Sequence, residues 1–131
     1  MYNVPMTSKN NIVLVVEDEM VLLEAIGMKL KEEGLESKLC SSGKDALTFL
    51  EKNHPGLIWL DYHLTDMDGL EFMNQLKKMK GEINIPVIVV SNSASEEKIH
   101  TMMLLGAKEY ILKAESKLKD IILAAKKIIH S

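Results

Sequence analysis

Apolar residues in this chain fall into short solid runs, separated by stretches where they recur every three or four positions. Ile12 to Val16 is one solid run, the pattern of a strand covered on both faces. From about Met20 to Glu33 the apolar positions Leu23, Ile26 and Leu30 share one helical face, and Gly34 stops the helix. Ser37 to Cys40 reads as a weak, polar edge strand. Ser42 can then cap a helix that turns Ala46, Leu47 and Leu50 inward before Pro55-Gly56. Leu57 to Leu60 forms a third strand with Asp61 at its carboxyl end, and a third helix carries Leu70, Met73 and Leu76. Pro86 opens a fourth strand, Val87 to Val90, ending at Ser91. Ser93-x-x-Glu96 resembles a capping box for a fourth helix that stops at Gly106. Glu109 to Leu112 is the fifth strand. The last helix, from about Ser116 to Ile129, buries Leu118, Ile121, Ile122, Ala125 and Ile129 and leaves Leu123 off the apolar stripe.

Five strands alternating with five helices predict an α/β domain with a parallel sheet wrapped by helices. A polar extension over residues 1–10 precedes one domain over residues 11–131. Composition is that of a globular protein, 47% hydrophobic and 27% charged, and the apolar runs are too short to span a bilayer. The net charge of −3 argues against direct nucleic-acid binding, which needs a basic face. A single cysteine, Cys40, permits no internal disulfide, and the polar start offers no secretion signal, so a cytoplasmic location is expected.

Right-handed crossovers bring every strand's carboxyl end to one edge of such a sheet, where ligands bind. That edge receives Glu17 and Asp18 from the first strand, Asp61 from the third, Ser91 from the fourth and Lys113 from the fifth. Singly, each has an ordinary reading: a solvated turn, a cap, a polar loop start, a solvated strand end. Their joint placement at four strand ends is what outweighs those readings. Three carboxylates packed together repel one another unless a cation joins them, and Mg²⁺ suits a site with few carboxylates. Asp61 is the candidate nucleophile, since a carboxylate can take a phosphoryl group, while Lys113 and Ser91 can bind phosphoryl oxygens. Asp66 and Asp68, just before the third helix, read as its caps.

Four segments resemble the receiver domain of two-component response regulators. They are Val15-Val16-Glu17-Asp18-Glu19, Leu60-Asp61-Tyr62-His63-Leu64-Thr65-Asp66-Met67-Asp68-Gly69, Ile88-Val89-Val90-Ser91 and Gly106-Ala107-Lys108-Glu109-Tyr110-Ile111-Leu112-Lys113. The resemblance covers about residues 11–129. It implies a flavodoxin-like doubly wound sheet of order 2-1-3-4-5. It also implies that Glu17, Asp18, Asp61 and the backbone carbonyl of His63 hold Mg²⁺, and that Asp61 accepts phosphate from a histidine kinase or phosphotransfer protein. Ser91 and Tyr110 are then the switch pair, and the face of the fourth helix, fifth strand and fifth helix meets a downstream protein or a fused output domain, or forms a homodimer. Such a domain catalyses its own phosphotransfer and slow dephosphorylation and is not otherwise an enzyme.

Three positions depart from the family pattern. Thr65 replaces a usual proline and is expected to loosen the loop after Asp61. Asn92 replaces a small residue and, with His63 at the entrance, is expected to tune phosphorylation and hydrolysis rates. Ala114 replaces a proline usually joined by a cis bond, a geometry that costs about 3 kcal/mol for alanine. Rival functions fit less well. A flavodoxin-type cofactor site needs a phosphate-cradling first loop, and here that loop begins with three acids. A haloacid-dehalogenase-type phosphatase needs an acid two positions after its nucleophile, where this chain has His63. A phosphorylation-independent interaction module on the same scaffold is the remaining alternative.

Overall fold

The structure is a computed structural model that describes residues 10–81, 84–93 and 95–131. Five parallel strands, β1 (Ile12–Val16), β2 (Glu36–Cys40), β3 (Leu57–Asp61), β4 (Val87–Ser91) and β5 (Glu109–Leu112), lie in the order β2-β1-β3-β4-β5. The helices between and after them are α1 (Met20–Glu32), α2 (Gly43–Leu50), α3 (Gly69–Lys80), α4 (Glu96–Leu104) and α5 (Leu118–Ile129), and a 3₁₀ turn covers Lys113–Glu115. The expected alternation and strand order are both present. Residues 1–9 of the polar extension lie outside the described residues. Its last residue, Asn10, donates from its side chain to the His54 carbonyl at 2.6 Å.

Strand alternation divides the core into two layers. Val13, Val15, Leu57, Trp59, Ile88 and Val90 pack with α1 and α5, through Leu23, Ile26, Ile121, Ile122 and Ala125. Leu14, Val16, Ile58, Leu60, Val87 and Val89 pack on the other face with Ala46, Leu50, Phe72, Met73, Leu76 and Met102. All residues of β3 and β4 are buried, whereas β2 is a largely exposed edge strand, as its polar content predicts. On α3 the buried set is Phe72, Met73 and Leu76, and Leu70 is only half-buried. Met102 fills the core, while Met103 and Leu123 are exposed.

Side-chain caps fix the starts of α2, α3 and α4, and the starts of the last two helices differ from expectation. Ser42 caps α2 by accepting from the Asp45 amide, and Asp68 caps α3 by accepting from the Glu71 amide. Ser95 caps α4, accepting from the Lys98 amide at 3.1 Å. Ser93 therefore does not cap that helix; its polar atoms are used at the sheet edge instead. The last helix begins at Leu118, because the 3₁₀ turn consumes the chain first. At the end of α1, Gly34 has φ +80°, a left-handed conformation that favours glycine.

Asp66 does not cap the helix that follows it. Its carboxylate reaches across to α2 and accepts from the amides of Gly43 and Lys44 at 3.0 and 2.9 Å. Met67 beside it lies so close to Gly43 that a Cβ there would meet its sulfur at 2.6 Å. The loop expected to loosen at Thr65 is thus tied to a second helix start. Burial alone would push the Asp66 carboxyl up, but the amides of Lys44 and Gly43 outweigh it and hold the carboxyl below its usual range. Its stabilising contribution is therefore complete above the usual aspartate range and is lost as pH falls through the depressed folded value. Asp66→Ala should destabilise the fold by about 1 kcal/mol in denaturant titration at pH 7, with a smaller difference from native at acid pH.

Candidate functional site: an acidic cluster at the carboxyl edge

The parity of each strand decides which layer its terminal residue joins. Glu17 continues the alternation Val13, Val15 and Asp61 the alternation Leu57, Trp59, so both belong to the α1/α5 side. Lys113, two residues past Ile111, arrives on that side from β5. Ser91 follows Val87 and Val89, and so belongs to the α2–α4 side with Tyr110. The sequence-predicted site residues therefore gather in two adjoining halves.

In the first half, carboxylate oxygens of Glu17, Asp18 and Asp61 all lie within 4.8 Å of one another. Lys113 Nζ stands 3.0 Å from Glu17 Oε1 and 3.5 Å from Asp61 Oδ2. The other Glu17 oxygen accepts from the Glu19 amide at 3.0 Å. Glu17 is 1% exposed and Asp61 5%, so neither has bulk water to disperse its charge. Burial, then repulsion from Glu17, raises the Asp61 carboxyl to about 6, against the opposing pull of Lys113. Burial alone would lower the Lys113 ammonium, but the carboxylates of Glu17 and Asp61 outweigh it and raise it. Three clustered carboxyl groups with one ammonium on two of them, and a carboxylate held against its own preference, fit a site for a hard divalent cation.

The Lys113–Ala114 bond is trans, since no cis bond occurs among the described residues. The ammonium still reaches the cluster, with the 3₁₀ turn beginning at Lys113 itself.

Ser93 organises the second half. Its carbonyl accepts from Ser91 Oγ at 2.8 Å and from the Tyr110 hydroxyl at 2.9 Å. Its amide donates to Ser91 Oγ at 3.2 Å, and its hydroxyl lies 3.2 Å from His63 Nε2. Ser91 is fully buried, while His63 and Asn92 are exposed at the mouth. Lys98 from α4 places its ammonium 5.0 Å from the centroid of the Tyr62 ring. Neither the Ser93 hub nor the Lys98 contact is legible in the sequence. Ser93 carries the local signal of a cap, and only the folded loop turns it toward three other elements.

A family model described as the response regulator receiver domain matches residues 13–126. The two-component response regulator ORR12 of Oryza sativa subsp. japonica is 33% identical over 102 residues, covering 77% of this chain and 84% of the relative. A protein-glutamate methylesterase/protein-glutamine glutaminase of Treponema pallidum is 35% identical over 113 residues, covering 82% of this chain but only 28% of that protein. Among solved structures, the response regulator receiver domain protein (CheY-like) from Methanospirillum hungatei superposes with a TM-score of 0.82 at 25% identity, covering 94% of this chain and 95% of that one. The Francisella response regulator 1452 receiver domain also reaches 0.82, at 26% identity over 92% of this chain and 98% of the other. An acidic cluster at the carboxyl edge of a 2-1-3-4-5 parallel sheet defines a receiver-type α/β domain. The chain belongs to the response-regulator receiver-domain family.

The raised Asp61 carboxyl has a consequence for stability without divalent cations. A carboxyl raised from about 4 to about 6 favours folding fully below its unfolded value, and that contribution is lost as pH rises through about 6. Asp61→Asn removes the penalty and should stabilise the cation-free protein at pH 8 by up to about 3 kcal/mol. At pH 4 the gain should vanish. Urea titration at the two pH values checks both.

Proposed function

We propose that this receiver domain is a phosphorylation-driven switch whose acceptor is Asp61. The observation that carries the reading is the cluster of the buried Glu17 and Asp61 with the half-buried Asp18, and the Lys113 ammonium on two of its members. An Asp61 carboxylate oxygen attacks the phosphorus of a phosphohistidine on a sensor kinase or phosphotransfer protein. The phosphorus–nitrogen bond breaks, and the leaving imidazole keeps the electron pair and takes a proton. Later hydrolysis returns inorganic phosphate and the free carboxylate. Glu17, Asp18, Asp61 and the backbone carbonyl of His63 would hold Mg²⁺, which when bound neutralises charge on the carboxylates and the phosphoryl oxygens. Lys113 is already at the cluster and pairs with a phosphoryl oxygen by turning from Asp61.

The hydrogen bonds of Ser93 supply the coupling. To reach a phosphoryl oxygen on Asp61, the Ser91 hydroxyl gives up its bond to the Ser93 carbonyl. Tyr110 holds the same carbonyl, so the β4–α4 loop and the Tyr110 ring rearrange together. The change reaches the face formed by α4, β5 and α5, where Met103, Leu104 and Leu123 are exposed to receive a downstream protein, a fused output domain or a second copy. His63 and Asn92, at the mouth, set access for water and donor. The proposal carries a cytoplasmic location and no direct role for nucleic acid.

Incubation with acetyl phosphate and magnesium chloride, read by intact mass spectrometry, tests the reading. The native chain should gain a single phosphoryl group and Asp61→Asn none. Lys113→Met should label about a hundredfold more slowly, and EDTA should abolish labelling. A native chain that never labels while its partners still bind it would favour the phosphorylation-independent module instead.

A further inference from the structure

Three of the four groups proposed to hold Mg²⁺ are carboxylates already gathered within 4.8 Å of one another. The fourth, the His63 carbonyl, belongs to the loop between β3 and α3, and its position is only as fixed as that loop. A bridge between His63 and Asp68 closes the base of the loop, together with the bond from the Gly69 amide to the Tyr62 carbonyl at 2.7 Å. At the tip, the Leu64 amide donates to the Met67 carbonyl at 3.2 Å. Thr65 and Asp66 are exposed there, while Leu64 and Met67 pack against the α2–α4 core layer. Apolar packing holds such a tip down without fixing its register, because burial is non-directional. A proline at position 65 would fix one φ at about −65°, and threonine leaves it free.

Direction comes from Asp66. Its two carboxylate oxygens take separate amides of α2, Oδ1 that of Gly43 at 3.0 Å and Oδ2 that of Lys44 at 2.9 Å. Among the described residues these are the hydrogen bonds that join residues 64–67 to another element. Helix α2 is a firm anchor, since Ala46, Leu47 and Leu50 are buried in the core. Asp66 is not one of the three clustered carboxylates, so whatever it contributes to the cation is not a ligand's contribution. We propose that Asp66 is a positioning residue for the metal: by fastening the tip of the loop to α2, it keeps the His63 carbonyl in register with Glu17, Asp18 and Asp61. The inference rests on the reading of those four groups as the Mg²⁺ site. Mg²⁺ demands near-ideal octahedral geometry at about 2.1 Å, so it penalises a ligand that wanders more than a larger, more tolerant cation would. Groups that orient a metal's ligands are typically worth about tenfold or more in affinity.

Titration of the unphosphorylated protein with magnesium chloride tests this, followed through the backbone amide resonances around Asp18 and His63. The native chain should saturate, and Asp66→Ala should need about ten times more Mg²⁺ to do so. Asp66→Asn keeps one accepting oxygen but loses the charge, and should need only about three times more. Ser95→Ala removes a cap of the same kind from α4, so it separates lost register from lost stability, and it should bind as the native chain does. An Asp66→Ala protein with native affinity overturns the inference and leaves the metal site standing. So does an Asp66→Asn protein as weak as Asp66→Ala, which makes the effect one of charge, or a Ser95→Ala protein weakened to the same degree. A native chain with no saturable response removes the site and the inference together.

Discussion

The structure depends on keeping like charges together at one edge of a buried sheet. Glu17 and Asp61 lie almost wholly out of water, with Asp18 beside them, and one ammonium, that of Lys113, compensates two of the three. An uncompensated buried carboxylate costs several kcal/mol, so the cluster survives only because the rest of the domain holds it in place. The solidly apolar strands β1, β3 and β4 and the two helical layers supply that excess stability. The carboxyl raised to about 6 on Asp61 records the strain that remains.

Alternation along the strands then divides the work. The charged half of the site sits over the α1/α5 layer and the hydroxyl half over the α2–α4 layer. Ser93 ties the hydroxyl half together. One carbonyl serves both Ser91 and Tyr110, and one side chain ties the β4–α4 loop to His63 on the neighbouring loop.

The departures from the family pattern are absorbed locally. The loop without proline at position 65 is held by Asp66 on the amides of α2 and by Met67 against Gly43. Ala114 follows a trans bond, and a 3₁₀ turn carries the chain onward while Lys113 still reaches Glu17. In both places a side chain or turn replaces the restriction that a proline ring would impose.

By itself the sequence determined the alternation of elements and the group Glu17, Asp18, Asp61, Ser91 and Lys113, while the strand order came from the resemblance to receiver domains. The period of apolar residues and the rule that parallel strands end together suffice for those. It also fixed the outward placing of Leu123 and the edge character of β2, which follow from pattern alone. Only the tertiary structure decided which helix Asp66 caps, that Ser95 and not Ser93 starts α4, and that Ser93 gathers three partners. Capping and turn residues carry signals shared by every nearby helix start, and hydrogen bonds between segments 17 to 30 residues apart leave no trace in local spacing.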